Sequence, residues 1–104
     1  MPDPTAFNSW PLHDAPVQEI KVEWGARCCV ISLNVFLRQG ERASPCQIRF
    51  DGVAEVHVPM RSSWGKSIAV NTHAQVGKTY RLEMQSGDMI QVVAERVELV
   101  SALT

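Results

Sequence analysis

Absences narrow this chain before its contents do. No stretch approaches the ~20 consecutive apolar residues of a membrane-spanning helix, and the N-terminus lacks the basic and apolar regions of a secretory signal. Together these predict a cytoplasmic protein with no membrane partner. No window carries apolar positions spaced by three and four, so no helix is predicted. Cysteine is scarce and odd in number, three in 104 residues, which suits reduced thiols better than a disulfide framework. No Cys-x-x-Cys pair exists, and Cys28 and Cys29 alternate in orientation on a strand, so together they cannot chelate a metal. A large charge of either sign is also missing. The formal net charge is -1 and the pI is near 6.3, which gives no electrostatic reason to expect nucleic acid. No cofactor motif survives inspection. Gly65-Lys66-Ser67 ends like a phosphate-binding loop, but Met60 stands where another Gly is needed, and a β-rich segment follows where a helix is needed. With no repeat or linker, residues 1–104 are expected to form a single domain.

What the chain does contain is two-residue alternation. From Thr79 to Leu99, Tyr80, Leu82 and Met84 alternate with Arg81, Glu83 and Gln85. After a turn at Ser86-Gly87-Asp88, Ile90, Val92 and Ala94 return on the same face. A three-residue loop keeps apolar residues opposite one another, pairing Met84 with Ile90, Leu82 with Val92 and Tyr80 with Ala94. The shift of apolar parity to Val97 and Leu99 predicts a bulge near Glu95-Arg96.

Earlier in the chain, Ile20, Val22 and Trp24 are expected inward, and a two-residue turn at Gly25-Ala26 pairs Val22 with Cys29 and Ile20 with Ile31. Cys29, Ile31, Leu33, Val35 and Leu37 then face the core. The other face carries Cys28, Val30 and Phe36, a candidate self-association surface. Further strands are expected at Cys46–Phe50, Ala54–Val58 and Lys66–Asn71, with a turn at Asp51-Gly52 and loops at Met60–Gly65 and Thr72–Lys78. Residues 1–8 read as a flexible arm. About seven short strands with Gly and Pro turns predict an all-β antiparallel sandwich or partly closed barrel.

Several residues draw functional attention. Trp64, flanked by Arg61 and Lys66, lies in a segment with too few apolar neighbours to bury it locally. An exposed Trp beside Arg has the composition of a binding hot spot; the alternative is that the ring folds back to plug one end of the fold. Asn71 is expected to bond loop backbone. His13-Asp14 has the residue types of half a catalytic relay, but adjacent side chains seldom face one another correctly, and Asp14 also suits a turn before Pro16. His57 is expected outward beside Glu55. Cys29 and Cys46 read as small buried hydrophobes that approach one another across the core, and Cys28 as the thiol to test for reactivity.

Three blocks carry a resemblance: Trp10-Pro11-Leu12-His13-Asp14-Ala15, Pro59 to Asn71 with its Trp64-Gly65-Lys66-Ser67, and Glu83-Met84-Gln85-Ser86-Gly87-Asp88-Met89-Ile90. In this order they resemble a group of small uncharacterised bacterial β proteins. In size and β character the chain is also similar to immunity proteins of bacterial toxin systems, which act by binding a toxin. An apparent interaction surface, the Met60 to Lys66 loop and a neighbouring strand face, with no recognisable catalytic set, leads to the expectation of a non-enzymatic protein-binding module, an immunity or accessory protein, without cofactor or metal. Two alternatives stand beside it: a homo-oligomeric structural protein, and a small-ligand binder or enzyme with a site near Trp64.

Overall fold

The computed structural model describes residues 3–102. Six antiparallel strands form one sheet: β1 (Val17–Glu23), β2 (Cys28–Val35), β3 (Ser44–His57), β4 (Val70–Val76), β5 (Thr79–Met84) and β6 (Met89–Ser101), in the order β1-β2-β3-β6-β5-β4. A 3-10 turn at Phe7–Ser9 precedes them. The chain is therefore all-β, with one sheet in place of a sandwich. The sheet is not closed; its two edge strands approach only through an isolated antiparallel bridge between Pro16 and Ala69. Among the described residues, no helix is long and apolar enough to cross a membrane.

The centre of the sheet is a long β3–β6 ribbon. β2 pairs with the first half of β3, from Ser44 to Asp51, and β5 pairs with the first residues of β6, from Met89 to Val93. The β1–β2 and β4–β5 hairpins thus flank opposite ends of the ribbon. Between them the ribbon changes face. Buried positions on β6 run Ile90, Val92, Ala94 and then Val97, Leu99, with Glu95 and Arg96 both exposed. The parity change expected near Glu95-Arg96 is present, but the register shift lies across from it on β3, between Val53 and Glu55.

Asp51-Gly52 is not a hairpin turn, which reduces the expected strands to six. Gly52 adopts a left-handed φ of 64° inside continuous β3, and a Cβ there would lie 2.6 Å from Cγ of Glu95. Turn chemistry is used here to bend a strand.

The β5–β6 hairpin keeps the expected faces but slips by two residues: Leu82 pairs with Ile90 and Tyr80 with Val92. Met84 N–H donates to Asp88 O at 2.8 Å, which moves the loop to Gln85-Ser86-Gly87. In the β1–β2 hairpin the register is as expected, with Val22 opposite Cys29 and Ile20 opposite Ile31. The left-handed residue there is Arg27, at φ 53°, rather than Gly25. Val22 and Trp24 are not inward: they are 50 % and 82 % exposed on an edge strand, and the Trp24 ring carries the Arg27 guanidinium 5.6 Å from its centroid.

The Lys66–Asn71 strand and the Thr72–Lys78 loop are also corrected. The strand is β4, and it turns at Gly77-Lys78. After the buried Val70 its covered positions are the polar Asn71, His73 and Gln75, so it lacks the apolar alternation that marks a strand. The N-terminal segment satisfies the last two instead: His73 Nε2 donates to Phe7 O at 3.0 Å and Gln75 N–H donates to Asn8 Oδ1 at 2.8 Å. Burial lowers the His73 pKa, an effect partly opposed by the bond to Phe7.

In the stretch expected as an arm, Asp3, Pro4 and Thr5 are exposed but Phe7 is taken into the core; Met1 and Pro2 lie outside the described residues. Phe7 is fully buried, with its ring centroid 5.0 Å from that of Trp10 and 5.2 Å from those of His73 and Tyr80. Trp10 Nε1–H donates to Asp3 O and Leu99 N–H to Pro4 O. Trp10, Leu12 and Ala15 complete the lining, over Ile31, Leu33, Ile48 and Phe50 of the sheet. Because Phe7 is an integral core residue, Phe7→Ala is expected to cost about 3–5 kcal/mol in urea unfolding. Phe36→Ala, at a residue 41 % exposed beyond the end of β2, is expected to cost about 1 kcal/mol or less.

Candidate functional site

The three distinctive sequence blocks meet in space. Asp88, buried at the β5–β6 turn, accepts hydrogen bonds from the backbone N–H groups of Arg61 at 2.9 Å and Ser62 at 3.0 Å, and from the Ser86 hydroxyl at 2.8 Å. Trp64 N–H donates to Ser86 O at 2.9 Å. The Trp64 indole rests on Gly87, where a Cβ would stand 3.0 Å from the ring and would press it away. The loop is therefore held from below by its backbone and by one ring face. Trp64 nonetheless remains 73 % exposed and Met60 86 % exposed. The ring does not plug the fold. It is presented to solvent, in the manner of an anchor residue.

A second polar cluster ties the first block to the other two. Asp14, at a left-handed φ of 66°, donates its N–H to Val70 O, and its Oδ1 accepts from Gln85 Nε2 at 2.6 Å. Gln85 N–H donates to Ala69 O, while Gln85 Oε1 accepts from the Ser67 hydroxyl at 3.3 Å. Asn71 bonds the Glu83 carboxylate at 2.9 Å rather than loop backbone, which corrects the expectation for Asn71. His13 Nδ1 donates to Asn71 O at 2.8 Å, and its Nε2 lies 3.5 Å from Asp14 Oδ1. The pair does face, but in the wrong sense for a relay. In a relay the carboxylate accepts the Nδ1 proton and frees Nε2 for chemistry. Here a backbone carbonyl takes that proton and Nε2 points at the carboxylate. The cluster works as a latch between the N-terminal segment, β4 and β5.

A groove of about 570 Å³ opens beside the Trp64 loop. One wall is β1, through Val17, Gln18, Glu19, Ile20 and Val22; the other is Pro59, Met60 and Lys66–Ile68; Met84 and Ile90 form the floor. Ile68 is 58 % exposed along this groove. The lining is mostly apolar, and several of its polar groups are already committed: Asp88 to the loop, Ser86 to Asp88 and Ser67 to Gln85.

Arg61, Trp64 and Lys66 thus sit on one presented loop, and His13, Asp14 and Asn71 belong to the adjoining latch. Sequence reasoning missed Asp88, Gln85 and Glu83, which it read as turn and solvent-facing residues. The signal was the density of polar residues in Gln85-Ser86-Gly87-Asp88, more than a turn alone requires. Cys28 stands between Glu23 and Asp51, Val30 between Lys21 and Arg49, and Phe36 lies past the strand. The stems of Lys21 and Arg49 shade Val30, which is half-buried. Cys29 and Cys46 do not approach one another: they face Phe50 and Leu33, four positions apart along the β2–β3 pair, roughly 13 Å.

No known protein family matches this chain, and no curated protein or solved structure is detectably similar to it.

Two outcomes follow from the geometry. The Asp88 carboxyl is held below its ordinary value of 3.8 by the Ser86 hydroxyl first, then by the Arg61 N–H and further loop contacts. The anchor is therefore at full strength above that value and weakens as pH falls through the lowered one. Asp88→Ala is expected to speed amide exchange at Arg61, Ser62 and Trp64 on the order of tenfold, with β2 and β3 amides unchanged, as read by NMR. Thiol labelling of the native protein is expected at Cys28, which is half-buried. Burial, and next the neighbouring Cys28, push the Cys29 thiol up to about 11, and burial raises Cys46, so both should label only on unfolding.

Proposed function

We propose that this chain is a non-enzymatic protein-binding module, acting as an immunity or accessory protein of a bacterial system, with the Met60–Lys66 loop as its contact surface. One observation carries the reading: Trp64 and Met60 are highly exposed while the backbone beneath them is fixed by Asp88 and Ser86. Exposed aromatic and Met side chains on a mobile loop lose much of their binding energy to ordering. On a loop already held in place, that cost has been met within the fold. Arg61 and Lys66 supply charge around the anchor, as in the polar rim of an interface. The affinity of such a surface is concentrated in a few residues.

The groove supports a second reading, a small apolar ligand, since about 570 Å³ falls in the range of ligand pockets. That reading is weaker, because Asp88, Ser86 and Ser67 are occupied within the protein and leave little to orient a ligand. The protein-binding reading is tested by affinity capture from the native cell with mass spectrometry, comparing wild type with a Trp64→Ala, Met60→Ala double variant. A stoichiometric partner that the double variant binds at least about 30-fold more weakly is expected. The same recovery from both, with unchanged circular dichroism, overturns it.

A further inference from the structure

The groove has the shape of a missing strand. Its β1 wall comprises consecutive residues, Val17 to Ile20, across the bulge between Val17 and Glu19, so the cavity follows the backbone edge of β1. The opposite wall is likewise consecutive, Lys66 to Ile68. The two walls join at the antiparallel bridge between Pro16 and Ala69, where Val17 N–H donates to Ile68 O at 2.8 Å. The β1 edge therefore accepts an antiparallel neighbour at its first residues. Beyond Ile68 that neighbour turns away: Ser67 N–H bonds Gly65 O, and β1 continues as a sheet edge.

Charge says what would lie there. On the outer face of β1, Glu19, Lys21 and Glu23 stand opposite Ser32, Val30 and Cys28 of β2, none of them charged. Among the described residues, the ion pairs join His13 to Asp14, Arg38 to Glu41 and Lys78 to Glu95, so the β1 row has no ionic partner. A strand on the free edge would meet this row directly, with basic, acidic and basic side chains in turn. Its intervening residues would face the side of Ile20 and Val22 and fill the groove.

We propose that an extended segment of a partner protein adds to the β1 edge as a further antiparallel strand, with a basic–apolar–acidic–apolar–basic pattern. This rests on the protein-binding reading and specifies what the partner contributes. Main-chain hydrogen bonds supply affinity in this mode, and alternate side chains supply specificity. A second copy is a poorer occupant: centred on Lys21 it sets Lys21 against Lys21 and Glu19 against Glu23, and centred on Val22 it pairs Lys21 with Glu23 but leaves Glu19 opposite Gly25, whereas the proposed pattern matches all three charges.

The test is an NMR titration of the labelled protein with a capped peptide containing Lys-Val-Glu-Val-Lys, alongside its charge-reversed and backbone N-methylated forms. Saturable shifts are expected at Gln18–Glu23 and Lys66–Ile68, with slowed amide exchange in β1. Charge reversal should weaken binding about tenfold or more, and N-methylation should abolish it. No shift at about 1 mM peptide overturns the proposal. So does equal binding of the N-methylated form, which would mark a plain apolar pocket, or concentration-dependent shifts of β1 without peptide, which would mark self-pairing. Ile68→Glu separates this inference from its parent. A cellular partner lost with Trp64→Ala but kept with Ile68→Glu sinks strand addition and leaves the binding module standing.

Discussion

Everything else in the molecule depends on the bend of the β3–β6 ribbon at Gly52. Gly52 and Glu95 face each other where the two longest strands cross the middle of the sheet, with no room for a β-carbon on the glycine. The residues facing inward change parity there, from Ile90, Val92 and Ala94 to Val97 and Leu99 on β6. A flat ribbon with that sequence would put one of the two apolar sets into water. A ribbon bent at Gly52 turns both toward a single interior. The hairpins at its two ends are thereby brought round toward each other, and Pro16 meets Ala69. Lys78 bonds Glu95 at 2.7 Å, so the β4–β5 turn is tied to the same crossing.

Once the edges are close, a few polar groups decide how the remaining segments lie. Asp14 and Asp88 come from opposite ends of the chain, and each receives donors from a segment distant in sequence. The aspartates act through geometry: Asp88 accepts three hydrogen bonds and fixes the loop that supplies them, and Asp14 accepts one from Gln85. Gln85 is central to the latch, donating to Asp14 and Val70 and accepting from Ser67. A loop fixed this way can leave its apolar side chains outside without collapsing over them. That is the physical basis for Trp64 remaining exposed in a chain with enough apolar surface to bury it.

The sequence made the β character and most of the core legible, because alternation in β2 and β5 is uninterrupted and a one-residue slip there would expose every apolar group. The β1–β2 register was readable for the same reason. Three features were hidden. β4 covers His73 and Gln75 with hydrogen bonds from the N-terminal segment, so its sequence carries no apolar period. Gly52 resembles a turn residue until its partner strand is known to continue past it. Phe7 sits among prolines and polar residues, and nothing local shows that it fills the core between Trp10, His73 and Tyr80. Of the site, Trp64 was visible through its poor local company. Asp88 was not, because a buried carboxylate and a turn carboxylate are spelled alike.

The two edges of the sheet are treated differently. Unpaired edges invite uncontrolled pairing, and proteins usually cover them or place charge along them. The β4 edge is partly covered by the N-terminal segment: Phe7 O bonds the His73 side chain and Asn8 Oδ1 takes the Gln75 backbone N–H. The β1 edge carries only charge, and a charged row is a selective barrier. It repels a strand of unsuitable pattern and pairs with one of opposite pattern. A chain able to fold its own N-terminus over one edge has not done so at the other, although that edge borders the groove and the presented tryptophan. Leaving it open carries an aggregation risk that a purely structural edge has no need to run, and the charged row limits that risk without sealing the groove.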